Sequence, residues 1–333
     1  MTDEPHSTGR PGAHPGPDGD GVVVLAEPRG FCAGVRRAIA VVERALDRHG
    51  PPVYVRKEIV HNTHVVSALR RRGAVFVDTE QTVPPGSICV FSAHGVSPAV
   101  RHSAAGRELQ VIDATCPLVS KVHQEARRFA RDGRTLLLIG HADHEEVEGT
   151  RGEAPERIIV VESEAAAERL DLPVDTPLAY LTQTTLSVDE TTGVIDVLRR
   201  RFPDLVGPAS DDICYASQNR QDGVKELVRQ TDLVLVVGSP NSSNSVRMVE
   251  VAELAGTPAH LVPDVGHLDE RWLAGVRAVG LSAGASAPEV LVEEVLDRLA
   301  DMGYRKVQMA TVATEDVVFS LPPAVAEPRG AGT

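Results

Sequence analysis

The chain of 333 residues holds 47 acidic and 34 basic side chains, a net charge of −13, with 42% hydrophobic and 24% charged residues. That balance argues against a broad nucleic-acid surface, which needs clustered lysine and arginine. The length allows two or three domains with a large core, and no apolar run approaches the roughly 20 residues of a membrane span.

Residues 1–20 are polar and rich in Pro, Gly and His, and read as a disordered tail without the apolar stretch of a signal peptide. The expected location is the cytoplasm, where thiols stay reduced and serve metals or catalysis rather than disulfides. The first apolar run, Val22 to Leu25, leads into Gly30-Phe31-Cys32-Ala33-Gly34-Val35. Val35, Ala38, Ile39, Val42, Ala45 and Leu46 then recur at helical spacing. The pattern predicts strand, tight turn and helix, with Cys32 at the turn. A thiol there is expected to lose its proton more easily, because the helix start is positive.

Short apolar runs alternate with helical patterns along the rest of the chain, which predicts an α/β fold with mostly parallel strands. His61 sits in Glu58-Ile59-Val60-His61-Asn62, after a short extended run. The run Ile88 to Phe91 leads to Ser92-Ala93-His94-Gly95, and Cys89 within it reads as core. Asp113-Ala114-Thr115-Cys116-Pro117 opens a second helical pattern through Val119, Val122, Ala126 and Phe129. The run Thr135 to Ile139 leads to Gly140-His141-Ala142-Asp143-His144-Glu145-Glu146. Glu146 suits proton transfer, but Glu145 and Glu148 flank it and spacing does not choose among the three. His64, His123 and His141 read as supporting or structural. The run Leu178 to Leu181 leads to Thr182-Gln183-Thr184-Thr185. Asp212-Ile213-Cys214-Tyr215 opens a third helix through Val224, Leu227 and Val228. The run Leu233 to Val237 leads to a loop with Ser242, Ser243 and Asn244, and Ala278 to Leu281 leads to Ser286.

In open parallel sheets, ligands bind beyond the carboxyl ends of the strands, so these loops and the three cysteines are expected to line one site. The expected units are 21–113, 114–207 and 208–300, each with one cysteine turn. Residues 301–321, with the strand-like run Val317 to Phe319, are expected to return to the first unit. Residues 322–333 read as a second tail. Ser97-Pro98, Ser187-Val188-Asp189-Glu190 and Ser286-Ala287-Pro288-Glu289 all read as helix caps.

Cys32, Cys116 and Cys214 lack Cys-x-x-Cys pairing. That fits an iron–sulfur cluster better than structural zinc, while three unrelated buried cysteines remain open from spacing alone. Histidines at three equivalent loop positions could hydrogen-bond an anion, and the Ser-Ser-Asn loop and Ser286 suit a phosphate at helix starts. No Walker lysine motif or Rossmann glycine fingerprint is present.

Taken together, GFCAGV, EIVHN, SAHGVSP, DATCP, GHADHEEVEGT, TQTTLS, ICYASQNRQ, GSPNSSNS and SAGASAPE resemble, in order, the 4-hydroxy-3-methylbut-2-enyl diphosphate reductase family. That family completes the methylerythritol phosphate route to isoprenoids, and the resemblance runs from Val22 to Leu321. It implies a trefoil of three α/β units around a [4Fe–4S] cluster held by Cys32, Cys116 and Cys214, with one iron open to substrate. It implies a diphosphate held by His61, His94, His144, Ser242, Ser243, Asn244 and Ser286. Glu146 would supply the proton, with Thr184 positioning or relaying it; Gln183 is a secondary candidate. The implied reaction is a two-electron reductive dehydroxylation of the allylic diphosphate to isopentenyl and dimethylallyl diphosphate. Its electrons would come from a donor such as ferredoxin or flavodoxin with its reductase. The competing readings are a zinc-dependent hydrolase or lyase on the same side chains, and a non-catalytic iron–sulfur redox or sensor module.

Overall fold

The computed structural model describes residues 21–326, and all strand pairs among them are parallel. The chain begins with β1 (Val22–Glu27) and α1 (Ala33–His49), then β2 (Val53–Arg56), α2 (Thr63–Arg71) and β3 (Ala74–Val77). It continues through β4 (Ile88–Phe91), α3 (Pro98–Gly106) and β5 (Gln110–Asp113). Next come α4 (Pro117–Arg131), β6 (Thr135–Ile139), α5 (Glu145–Arg151), β7 (Ile158–Val161), α6 (Glu164–Glu168), β8 (Leu178–Thr182) and α7 (Val188–Arg201). The last stretch holds α8 (Tyr215–Val228), β9 (Leu233–Val237), α9 (Ser243–Leu254), β10 (Ala259–Val262), β11 (Ala278–Ala283), α10 (Glu289–Asp301) and β12 (Lys306–Thr311).

These strands form three sheets, in the orders β3-β2-β4-β5, β7-β6-β8 and β10-β9-β11-β1-β12. Helices cover both faces, so the central strands are apolar throughout rather than alternating. In β9 every residue from Leu233 to Val237 is buried. Its odd-numbered side chains pack with α10, and Val234 and Val236 pack with α8 and α9. The three-stranded sheet divides in the same way, Leu137 and Ile139 facing α7 while Leu136 and Leu138 face α4. Cys89 is buried in the core of the four-stranded sheet with Phe91 and Val96, as its place in an apolar run predicts.

The linear division differs from the sheet pairing at its first strand. β1 lies between β11 and β12, with Val22 opposite both Ala278 and Lys306. A strand apolar from Val22 to Ala26 suits that interior place, and Val23, Val24 and Ala26 are buried there. The return of the C-terminal segment runs through Lys306–Thr311, not through Val317 to Phe319, which form no strand. As an edge strand, β12 alternates polar and apolar residues, which hides it from a search for apolar runs. Residues 322–326 are not a free tail. Val325 is buried against the α1 core and Arg48 Nη1 donates to the Ala324 carbonyl at 2.9 Å. The expected tail at 1–20, and 327–333, lie outside the described residues.

Candidate active site

Strand ends and helix starts from all three sheets meet at one cleft of about 750 Å³. Its walls include Cys32, Cys116, Cys214, His61, His94, His144, Glu146, Thr184, Ser242, Ser243, Asn244 and Ser286, the whole of the expected site. The cysteines are the residues just before α1, α4 and α8. Cys32 Sγ accepts from Val35 N–H at 3.5 Å and Cys214 Sγ from Ser217 N–H at 3.4 Å, so two thiols act as helix caps. Cys116 makes no such bond; Pro117 at the first helical position starts α4 instead.

Easy ionisation is not what the structure gives Cys116 and Cys214. Burial, with charge repulsion from the neighbouring thiols, pushes Cys116 up to about 12 and Cys214 up to about 11. Removal from water outweighs the helix starts. The thiols are free and line one cleft, and burial with repulsion opposes their ionisation, which is what a cationic cluster would relieve. Gly34 leaves room for them: a Cβ there would lie 2.7 Å from Cys116 Sγ and 3.8 Å from Cys32 Sγ. A single tetrahedral zinc would draw its sulfurs to about 3.8 Å from one another. The three sulfurs are not within 4.8 Å of one another, so their spread suits a larger, multi-iron group. Cys89 sits apart in the core, and burial raises it to about 12.

The structure chooses among the carboxylates of α5. Glu146 is 2% exposed, Oε1 accepts from Thr184 N–H at 2.7 Å, and Oε2 lies 3.0 Å from Thr184 Oγ1. Burial pushes it up to about 7, against the two Thr184 bonds that favour its charged form. Glu145 instead meets His94 Nδ1 at 3.1 Å, and exposed Glu148 faces Arg56 at 3.6 Å. Backbone geometry settles the proton's place on Glu146. Oε1 is held as an acceptor by an N–H, so the protonated acid carries its hydrogen on Oε2, facing Thr184 Oγ1.

The His61 and His94 rings stack with centroids 4.0 Å apart, and His144 stands edge-on to them at 5.6 and 5.8 Å. His144 Nδ1 accepts from Glu146 N–H at 3.1 Å, which leaves its proton on Nε2. Burial and the two other rings push His144 down to about 3, so it is a neutral donor. His64 is exposed, and His123 is buried against Glu153 at 2.9 Å.

Ser242 caps α9, its Oγ accepting from Ser245 N–H at 3.4 Å. Asn244 Oδ1 accepts from Ala285 N–H at 2.8 Å and its Nδ2 donates to Ser217 Oγ at 3.3 Å. Ser243 Oγ accepts from Gln183 Nε2 at 3.2 Å. Gln183 therefore braces the serine loop without lining the cleft itself. Ser286 is not the cap of the next helix. Pro288 disfavours helix at Ala287, α10 starts at Glu289, and the Ser286 hydroxyl lies 2.9 Å from the His61 carbonyl and 3.3 Å from Ser242 Oγ. Ser97 and Ser187 do cap their helices. Sequence reasoning passed over Thr185, Tyr215 and Ser217, which also line the cleft. Ser217 had a usable signal, three residues after Cys214 on a helix; its Oγ lies 3.3 Å from that sulfur.

Three parallel sheets around a thiol-lined cleft, with a buried carboxyl of raised pKa and a histidine–serine wall, define an α/β protein equipped for redox chemistry on an anionic ligand. The LytB protein family matches residues 23–300, and the chain belongs to it. It is 60% identical over 301 residues to the 4-hydroxy-3-methylbut-2-enyl diphosphate reductase of Nocardia farcinica, covering 90% of each. It is 59% identical over 308 residues to reductase 1 of Mycobacterium bovis, covering 92% of each. Among solved structures, the E-1-hydroxy-2-methyl-but-2-enyl-4-diphosphate reductase from Plasmodium falciparum superposes with a TM-score of 0.90 at 38% identity, covering 92% of this chain and 97% of that one.

Proposed function

We propose that this chain reduces (E)-4-hydroxy-3-methylbut-2-enyl diphosphate to isopentenyl and dimethylallyl diphosphate, consuming two electrons and two protons and releasing water. The observation that carries this reading is the buried Glu146–Thr184 pair in the same cleft as three converging thiols. Cys32, Cys116 and Cys214 would hold a [4Fe–4S] cluster, which when bound supplies single electrons and a Lewis-acidic iron. The remaining chemistry belongs to the chain. His61, His94, His144, Ser242, Ser243, Asn244 and Ser286 bind the diphosphate and so fix the carbon chain. Hydroxide is a poor leaving group, and the Glu146 proton lets it depart as water. Thr184 Oγ1, 3.0 Å from Oε2, takes that proton and passes its own toward the substrate. The burial of Glu146 and Thr184 keeps bulk water from the reacting carbon. The electrons would come from a separate carrier such as ferredoxin or flavodoxin, in the cytoplasm.

The test is anaerobic turnover by the iron-loaded protein with an artificial one-electron reductant. Both alkenyl diphosphates should form, and E146Q should lose at least about a hundredfold in kcat while keeping its iron. Full turnover by E146Q would overturn the assignment of the proton source.

A further inference from the structure

The diphosphate reading leaves a charge problem. Histidines, hydroxyls and an amide, with no lysine or arginine, form the expected anion wall of the cleft. A neutral imidazole has one donor nitrogen, so the wall's capacity depends on which nitrogen holds the hydrogen. His144 is settled by the Glu146 N–H and presents Nε2–H. His94 is settled in the opposite sense. Its Nδ1 lies 3.1 Å from Glu145 Oε2, and a carboxylate accepts only. Nδ1 must therefore carry the hydrogen, and a neutral His94 would present a bare lone pair on Nε2.

Resting on the diphosphate reading, we propose that Glu145 is a positioning residue that makes His94 meet the diphosphate as an imidazolium, taking up one proton when the ligand binds. With Nδ1–H held by Glu145, only a second proton on Nε2 lets this ring donate to a phosphate oxygen. A charge-assisted bond of that kind is about twice as strong as a neutral one. The surroundings fit a ring that is neutral when free and charged when occupied. Burial and the adjacent His61 push His94 down, while Glu145 and Glu58 oppose them. His144 stands at the ring's edge. Burial disfavours the charged Glu145, yet the hydrogen bond from His94, first among the opposing causes, with the charge of Lys57 adding to it, holds the carboxyl below its usual value. Glu145 is thus an anion before the ligand arrives. Glu58 Oε2 lies farther from His61 Nδ1, at 3.5 Å, and that nitrogen has no hydrogen-bond partner among the described residues. A metal ion in this place, where His61, His94 and Glu145 offer ligand atoms within 4.8 Å of one another, would displace protons rather than add one.

The experiment is calorimetric titration of the anaerobically purified protein with inorganic pyrophosphate, in buffers of different ionisation enthalpy at about pH 8, where a free histidine is neutral. The ligand's own ionisation is common to wild type and variant, so the difference isolates the protein. Wild type should take up about one more proton per pyrophosphate than E145Q, whose amide can donate to Nδ1 and release Nε2 to carry the hydrogen. Pyrophosphate affinity should fall about tenfold in E145Q, and E145D, which keeps the carboxylate, should retain most of the uptake. Equal uptake by wild type and E145Q overturns the inference alone, as does binding that requires an added divalent cation. Failure of pyrophosphate to bind in competition with the allylic substrate overturns the diphosphate reading, and the inference with it. Should E145Q not fold, histidine nitrogen shifts of wild type decide: free His94 protonated at Nε2 rather than Nδ1 contradicts it.

Discussion

At Glu146 the burial that makes the carboxyl useful also makes it destabilising when charged. Its pKa of about 7 lies above the unfolded value of 4.5, so the folded chain holds more protons than the unfolded chain between those values. Stability therefore falls as pH rises through that window, by roughly 3 kcal/mol for this fully buried group. E146Q keeps both Thr184 contacts without the ionisation. Its melting temperature relative to wild type should rise between about pH 5 and pH 8, and a constant difference would contradict the shifted pKa. Turnover of wild type should decline above about pH 7 as the acid form is lost. Spacing marked His144 and a nearby carboxylate but left Glu145, Glu146 and Glu148 equivalent, and the family resemblance alone pointed to Glu146. The fold gives the physical reason, because helix α5 turns one side chain to the histidines, one to Thr184 and one to the surface.

At the scale of elements, the Cys32 and Cys116 turns were legible because Gly30, Gly34 and Pro117 mark such joints, and the Cys214 turn because a helical pattern follows it. The length of the edge strand β12 was not, because its residues alternate. Nor was the start of α10, where Pro288 overrules the capping pattern that Ser286 and Glu289 suggest. Gly34 lies at the second position of α1, against the sulfurs of Cys116 and Cys32. G34A fits the helix and even favours it by roughly 1 kcal/mol, yet its methyl would intrude 2.7 Å from Cys116 Sγ. The expected result is a protein with wild-type helicity and much reduced iron per chain. Wild-type iron content in G34A would show that the cluster does not need that space.

On the scale of the whole molecule, three parallel sheets direct their strand ends and helix starts to one cleft, so residues as distant as Cys32 and Ser286 become neighbours. The alternation of runs and helices announced the parallel sheets. The membership of β1 was hidden, since its partners lie more than 250 residues away and pairing at that range leaves no local trace. Depth in the core likewise separates Cys89 from the other three cysteines. The most direct measurement is therefore iron and sulfide per chain, with the low-temperature magnetic spectrum, in anaerobically reconstituted wild type and in single alanine variants of each cysteine. The account predicts about four irons in wild type and in C89A, and loss of the native cluster signal in C32A, C116A and C214A. A wild-type protein that binds one zinc and no iron, or a cluster as dependent on Cys89 as on the other three, would contradict it.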